Sequence, residues 1–316
     1  MGIDLLDAPV RLTWDLHGPG APLDRETMLA VAGRIAAAGV FYVTLQERPL
    51  LHPAISAILG TLATGGCRVS VICSGASLEL ESACNLAKVP ASVQLDAALA
   101  LTGSGFDPTP LAAALETLRQ AGIDPLVTLI PLRSNLAVIP ELFAFCQSHG
   151  VGCFKLPNAR IGDTFRGYGA EELPGPDDLD RFRALWQRGL KTAAGATKLE
   201  IHDRFLWEIM TPGDDQARSE YGGCQAANSL GHVDAQGTVF ACEAWPEPLG
   251  SLLDMELEEI WQSPRRHAVR ERVAAIPDGC RGCRDYALCL GGCRGLGECL
   301  GESGGGRDLM CRAPRS

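Results

Sequence analysis

Lysine is nearly missing from this 316-residue chain: Lys88, Lys155, Lys191 and Lys198 are all it has. With a formal net charge of −10, there is no basic run to grip a phosphate backbone or an anionic bilayer. Nucleic-acid and membrane partners are therefore not expected. No apolar run reaches the length that spans a bilayer. The opening MGIDLLDAPV has no basic stretch, no apolar core and no cleavage site, and position 6 holds Leu where a myristoylation motif wants Ser or Thr. A cytoplasmic location is the expectation. Between Val10 and Gly66 there is no cysteine, so no thiolate metal site can form there. With 46% hydrophobic and 21% charged residues, the composition is that of a globular protein.

Cysteine is abundant elsewhere. Five of the 13 lie in residues 1–223: Cys67, Cys73, Cys84, Cys146 and Cys153. The other eight crowd into the last 93 residues. Such a density marks a disulfide scaffold or a metal-binding domain. Without a visible secretory route disulfides are disfavoured, which leaves metal or cluster ligation.

Residues 8–160 alternate strand-like and helical patterns. Strands are predicted near Val10–Trp14, Phe41–Leu45, Val69–Cys73, Ser92–Leu95, Leu126–Ile130 and Val151–Leu156. Between them, Asp24 is placed to cap a helix carrying Met28, Val31, Ala32 and Ile35 on one face, with Gly39 ending it. Pro53 and Pro110 read as first-turn prolines of two more helices, and 136–148 as another. This rhythm implies a parallel α/β sheet, either open or a partial barrel. Residues 157–175 read as a loop, 177–193 as a helix, 198–202 as a strand and 211–223 as irregular. The division expected is 1–215 and 216–316.

The tail spacing is the sharpest signal. Cys224, Gly237 and Cys242 are followed by Cys280-x2-Cys283-x5-Cys289-x3-Cys293, and Cys311 closes the series. Paired thiolates at x2 spacing can hold one iron or zinc ion from a single turn, and Gly282, Gly291 and Gly292 let the backbone curl. Seven thiolates exceed one four-ligand site. A pair of zinc sites satisfies the same residues chemically.

This seven-cysteine pattern, with the text HVDAQGTVFACEAWPEPLGSLLDMELEEIWQS and CRGCRDYALCLGGCRG, resembles the SPASM domain of radical SAM maturases. The resemblance implies two auxiliary [4Fe–4S] clusters. Cys280, Cys283, Cys289 and Cys311 would hold the distal cluster, and Cys224, Cys242 and Cys293 the proximal one. Some relatives add a proximal ligand shortly after the first Cys. Here that stretch, QAANSLGHVDAQ, offers only His232 or Asp234, or leaves the position to an exogenous ligand. Cys299 lies outside the motif and is expected to be a spare, partly buried thiol.

Residues 8–205 likewise resemble the radical SAM partial (β/α)6 barrel. The family's Cys-x3-Cys-x2-Cys loop is missing, since the loop after Trp14 holds Asp15, His17 and Asp24. Its Gly-Gly-Glu-Pro reads Gln46-Glu47-Arg48-Pro49, with Arg48 replacing the carboxylate that would face SAM's ammonium. SAM is not an expected cofactor. The chain most resembles the SPASM-domain partner of the GeoRSP peptide-modification system. That resemblance implies a non-enzymatic iron–sulfur protein that passes electrons or presents peptide to a separate radical SAM/SPASM maturase, alongside a peptide chaperone or precursor peptide. The alternatives are a radical SAM enzyme with unusual ligands and a zinc-stabilised peptide-binding scaffold. The five front-half cysteines are expected to be small buried hydrophobes, Asp96 a cap, His17 a surface residue, and Lys155, Asn158 and Arg160 members of a solvated loop.

Overall fold

The computed structural model describes residues 6–74, 78–103, 105–161, 167–189, 196–211, 213, 215–220, 222–300 and 306–312. The first five residues and parts of the expected loop at 157–175 and helix at 177–193 lie outside these. Strands β1 (Arg11–Asp15), β2 (Tyr42–Gln46), β3 (Arg68–Ser74) and β4 (Ala91–Asp96) alternate with helices α1 (Arg25–Ala37), α2 (Ile55–Thr64) and α3 (Leu80–Leu86). A two-strand hairpin, β5 (Leu101–Thr102) with β6 (Gly105–Phe106), precedes α4 (Pro108–Gln120). Then come β7 (Leu126–Thr128), α5 (Ile139–Ser148), β8 (Cys153–Leu156), α6 (Pro176–Gly189), β9 (Lys198–Ile201), α7 (Arg204–Met210) and α8 (Asp215–Glu220). The C-terminal part adds β10 (Leu230–Val233), β11 (Thr238–Phe240), β12 (Pro248–Ser251), α9 (Leu257–Trp261), α10 (Pro264–Ala274), α11 (Tyr286–Cys289) and α12 (Arg294–Cys299).

Local chemistry explains most of these boundaries. Asp24 accepts a hydrogen bond from the Thr27 amide and starts α1, a cap worth about 1 kcal/mol. Gly39 follows the helix at φ +71°, a conformation glycine adopts without steric cost. Asp107 caps α4 with its carboxylate, and Pro108 and the expected Pro110 both fall in the first turn. Pro53 stands one position before the cap of α2, outside the helix. The sequence pattern passes over α3 and α8, which span only seven and six residues. So few residues give too short a window for helical periodicity to show.

One ten-stranded sheet runs β12-β11-β10-β1-β2-β3-β4-β7-β8-β9. Its strands from β10 through β9 are parallel neighbours, and β11 and β12 add an antiparallel edge. Across the expected 215/216 division, β10 pairs with β1, Arg11 opposite Leu230, so the tail's strands extend the same sheet. One face carries Leu12, Trp14, Val43, Leu45, Val71, Val93, Leu95 and Phe154, all nearly inaccessible. Alternation sends Thr13, Asp15, Gln46 and Gln94 to the other face. Four front-half thiols, Cys67, Cys73, Cys146 and Cys153, are buried as expected; Cys84 departs from expectation and is exposed. Burial pushes Cys73 and Cys146 up to about 12, so they are inert as nucleophiles.

The polar face is concave. Arg11 on β1 and Glu200 on β9 form an ion pair at 3.8 Å although six strand-to-strand steps separate them in the sheet. Laid flat, those steps would span roughly 29 Å at about 4.8 Å each. The sheet therefore curls through most of a barrel, and β1 pairs with β10 instead of closing on β9. A hydrogen bond from His202, with Lys155 and Arg11 nearby, holds Glu200 down at about 2 against the opposing effect of burial. A carboxylate depressed from 4.5 contributes stability above pH 4.5 and loses it as pH falls towards 2. The urea midpoint of the native chain is expected to drop across that window. Glu200→Gln should flatten the drop, and an unchanged slope would show that the pair does not hold the gap.

Candidate iron–sulfur sites and barrel mouth

The tail thiols fall into two electrostatic groups. In the first, Cys280 is pushed up to about 11 by burial and then by the charges of Cys311, Cys289 and Cys283. Cys280 closes a tight turn at 278–280, and the Cys283 amide donates to its carbonyl at 3.1 Å. Cys289 ends α11, after which Leu290 (φ +51°), Gly291 and Gly292 turn left-handed and reverse the chain. A Cβ on Gly292 would lie 2.6 Å from Asp308 Oδ2, so only glycine fits there. Cys283, Cys289 and Cys311 line one cavity together with Phe205 and Met310.

The second group holds Cys224, Cys242 and Cys293. Cys293 feels both other sulfurs, and Cys242 feels Cys224. Burial raises all three thiols, so none ionises readily without a nearby cation. Backbone amides point at the sulfurs: Ala226 and Arg294 at Cys224, Ala244 and Trp245 at Cys242, and Leu296 at Cys293. In the first group the Gly291 amide does the same for Cys289. Amide donors aimed at buried sulfur stabilise thiolate and tune the potential of an iron–sulfur centre. Arg270 holds the Cys224 turn, donating to the carbonyls of Cys224 (3.0 Å) and Ala226 (2.8 Å).

Both groups thus fit thiolate-held iron clusters. Among the described residues, no three Cys, His, Asp or Glu side chains converge where one metal ion could sit.

The two side chains considered for a fourth proximal ligand are engaged elsewhere. His232 meets Thr13 Oγ1 at 2.9 Å and lies 3.5 Å from Asp15. Asp234 closes the β10–β11 turn, accepting from the amides of Gln236 (2.9 Å) and Thr238 (2.8 Å). Cys299 is partly buried as expected, and its thiol donates to the Ala244 carbonyl at 3.2 Å. The motif leaves two buried carboxylates unmarked. Asp308 accepts from the amides of Cys293 (2.6 Å) and Met310 (2.8 Å), and Asp203 caps α7. Burial raises both, and Asp308 adds to the rise at Asp203.

At the C-terminal ends of the barrel strands the structure overturns one expectation. Arg160 is no solvated loop residue: it is 6% exposed and forms a two-pronged pair with Asp15, at 2.7 and 3.0 Å. It also reaches Glu243 at 3.3 Å and Glu47 at 4.0 Å. Gln46 donates to Asp15 (2.9 Å) and to Glu243 (2.6 Å). A charged side chain read alone is assigned to solvent; only the fold brings residues 15, 46, 160 and 243 together. Glu47 and Arg48 keep positive φ, +60° and +53°, Glu47 at a position where the resemblance expects glycine. That turn stores strain of about 1–2 kcal/mol per residue. His17 Nδ1 meets the Glu47 carbonyl at 2.8 Å. Asp96 is the expected cap, accepting from the Ala98 amide.

A curled α/β sheet with polar strand ends thus carries two thiol groups in its C-terminal extension. Residues 224–284 match the SPASM family, an iron-sulfur cluster-binding domain. The chain is 24% identical over 317 residues to the PqqA peptide cyclase of Gluconobacter oxydans (strain 621H), covering 94% of this chain and 84% of that protein. Among solved structures it resembles SuiB of Streptococcus suis bound to S-adenosylmethionine (TM-score 0.72, 14% identity, 98% of this chain and 78% of that one). It also resembles anSMEcpe with bound AdoMet (TM-score 0.63, 14% identity, 90% and 89%). The chain thus resembles radical SAM/SPASM proteins in fold, with a SPASM match at residues 224–284. Among the described residues, no helix is long and apolar enough to cross a membrane.

Proposed function

We propose that this chain is an iron–sulfur accessory protein of a ribosomal-peptide maturation system, holding two [4Fe–4S] clusters and serving a separate radical SAM maturase. The reading is supported above all by the contrast between its two ends. The tail has two thiol groups with amides aimed at their sulfurs. The barrel mouth carries the Asp15–Arg160 pair in a chain with no cysteine before position 67. A peptide context is suggested by the relatives, one named a PqqA peptide cyclase and one solved with its precursor peptide SuiA. The clusters supply one-electron redox chemistry when bound. The chain's own residues bury Cys280, donate amides to the sulfurs of Cys224, Cys242, Cys289 and Cys293, and leave Cys283, Cys289 and Cys311 beside a cavity through which a partner can approach.

The relatives solved with S-adenosylmethionine favour a second reading, an enzyme with unusual ligands. Anaerobic purification with iron, sulfide and zinc counted per chain tests the proposal, followed by incubation with SAM and a strong reductant. Iron and sulfide without zinc, and no 5′-deoxyadenosine, are expected. A colourless protein removes the cluster reading, and 5′-deoxyadenosine formed by the chain alone establishes the enzyme.

A further inference from the structure

Cys242, Glu243, Ala244 and Trp245 form a tight turn in which the Trp245 amide donates to the Cys242 carbonyl at 3.2 Å. The amides of Ala244 and Trp245 also face the Cys242 sulfur, so the shape of this turn sets how that sulfur is presented. On its tail side the turn rests on α12. A Cβ on Gly295 would lie 2.9 Å from the Ala244 carbonyl, and the Cys299 thiol donates to the same oxygen. On its barrel side the turn is tethered through Glu243, whose Oε1 accepts from Gln46 Nε2 at 2.6 Å and from Arg160 at 3.3 Å.

Those two donors are themselves fixed. Both bind Asp15 at the end of β1: Gln46 from the end of β2, and Arg160 by two parallel bonds that set the plane of its guanidinium. The backbone of β1 and β2 is paired residue for residue up to Asp15 opposite Gln46. A continuous line of short contacts therefore runs from rigid parallel strands to the residue bonded to Cys242. The Glu243 carboxylate also acts on that sulfur through its charge, with the Arg160 cation against it. Metal-ligand properties depend on such outer partners as well as on the ligand.

We propose that Gln46 and Arg160 are positioning residues for Cys242, acting through Glu243, so that the barrel mouth sets the geometry and the charge balance of the proximal centre. The inference rests on the reading that Cys242 ligates the proximal cluster. It explains why the mouth keeps four polar side chains packed together in a chain without the family's three-thiolate loop.

Two variants test it in the full-length chain, and both keep the Arg160–Asp15 pair; thermal melts confirm that each folds. Glu243→Gln removes the charge beside Cys242 and preserves the side-chain shape. In the iron-loaded protein, potentiometric titration followed by electron paramagnetic resonance should show one midpoint potential rising by about tenfold in the one-electron reduction constant, 59 mV, while the other stays in place. Gln46→Ala loosens the tether without altering charge. In iron-free protein, alkylation of Cys242 by iodoacetamide, read by mass spectrometry against Cys280 as internal reference, should quicken at least fivefold. Potentials that both stay still or move together, with Cys242 alkylation unchanged, overturn the proposal. If the purified chain holds no iron, the cluster reading fails, but the alkylation experiment still decides whether Gln46 positions Cys242.

Discussion

Cys283→Ser is expected to cost the protein about four irons per chain and part of its visible absorbance, because a [4Fe–4S] centre uses four cysteine thiolates. The proximal group should keep its iron. The physical case is the separation of the two groups: Cys280 feels Cys283, Cys289 and Cys311, whereas Cys293 feels Cys224 and Cys242. Cys283 also lines the cavity beside Cys289 and Cys311, so its loss opens one corner of the site to solvent. Serine is smaller and its hydroxyl is a far harder donor, so it preserves the turn without replacing the soft ligand. Iron and sulfide analysis with optical spectroscopy reads the result. Iron equal to that of the native chain would falsify the distal assignment. Loss of all iron would show that the groups load as one unit, with Asp308, which holds the Cys293 amide three residues before Cys311, as the structural link.

Arg160→Met should lower the free energy of unfolding by about 3–5 kcal/mol, the usual consequence of removing one partner of a buried ion pair. Asp15 and Glu47 are 4% and 3% exposed, so water cannot take over the role of the guanidinium. In the native chain burial pushes Asp15 up, but His232 and Arg160 outweigh it and hold the carboxyl below its ordinary value. Without Arg160 much of that opposition is lost, and the buried Asp15 carboxylate is left with less compensation. Against a total stability of about 5–15 kcal/mol for a typical domain, the loss is large enough to shift a urea midpoint plainly. Adding Asp15→Asn to Arg160→Met removes the orphaned charge and should recover part of the loss. A change below about 1 kcal/mol in the single variant would mean that the network is solvated, as surface ion pairs are.

Gly292 and Arg160 show what kinds of signal a sequence carries. The glycine is legible because its reason is local: the chain must reverse between Cys289 and Cys293, and φ +69° with a carboxylate 2.6 Å from a would-be Cβ excludes other residues. The strand–helix rhythm is legible for the same reason, since caps such as Asp24 and alternation such as Leu12–Trp14 act within a few residues. Arg160 is not legible, because its partner Asp15 lies 145 residues away and a charged residue after a strand reads as solvated. His232, one of the options left open for a fourth proximal ligand, is likewise placed by a distant pairing: β10 pairs with β1 and delivers it to Thr13 and Asp15.

The sequence alone therefore determined the alternating α/β chain, the thiol count and spacing, and the missing three-thiolate loop, because each depends on short-range periodicity or on which donors exist. Tertiary structure decided that the tail's strands extend the barrel sheet and that Asp15, Gln46, Arg160 and Glu243 meet in one network at the barrel mouth. Those outcomes depend on the curl of the sheet and on pairings between distant strands, where charge and burial act through space and not along the chain.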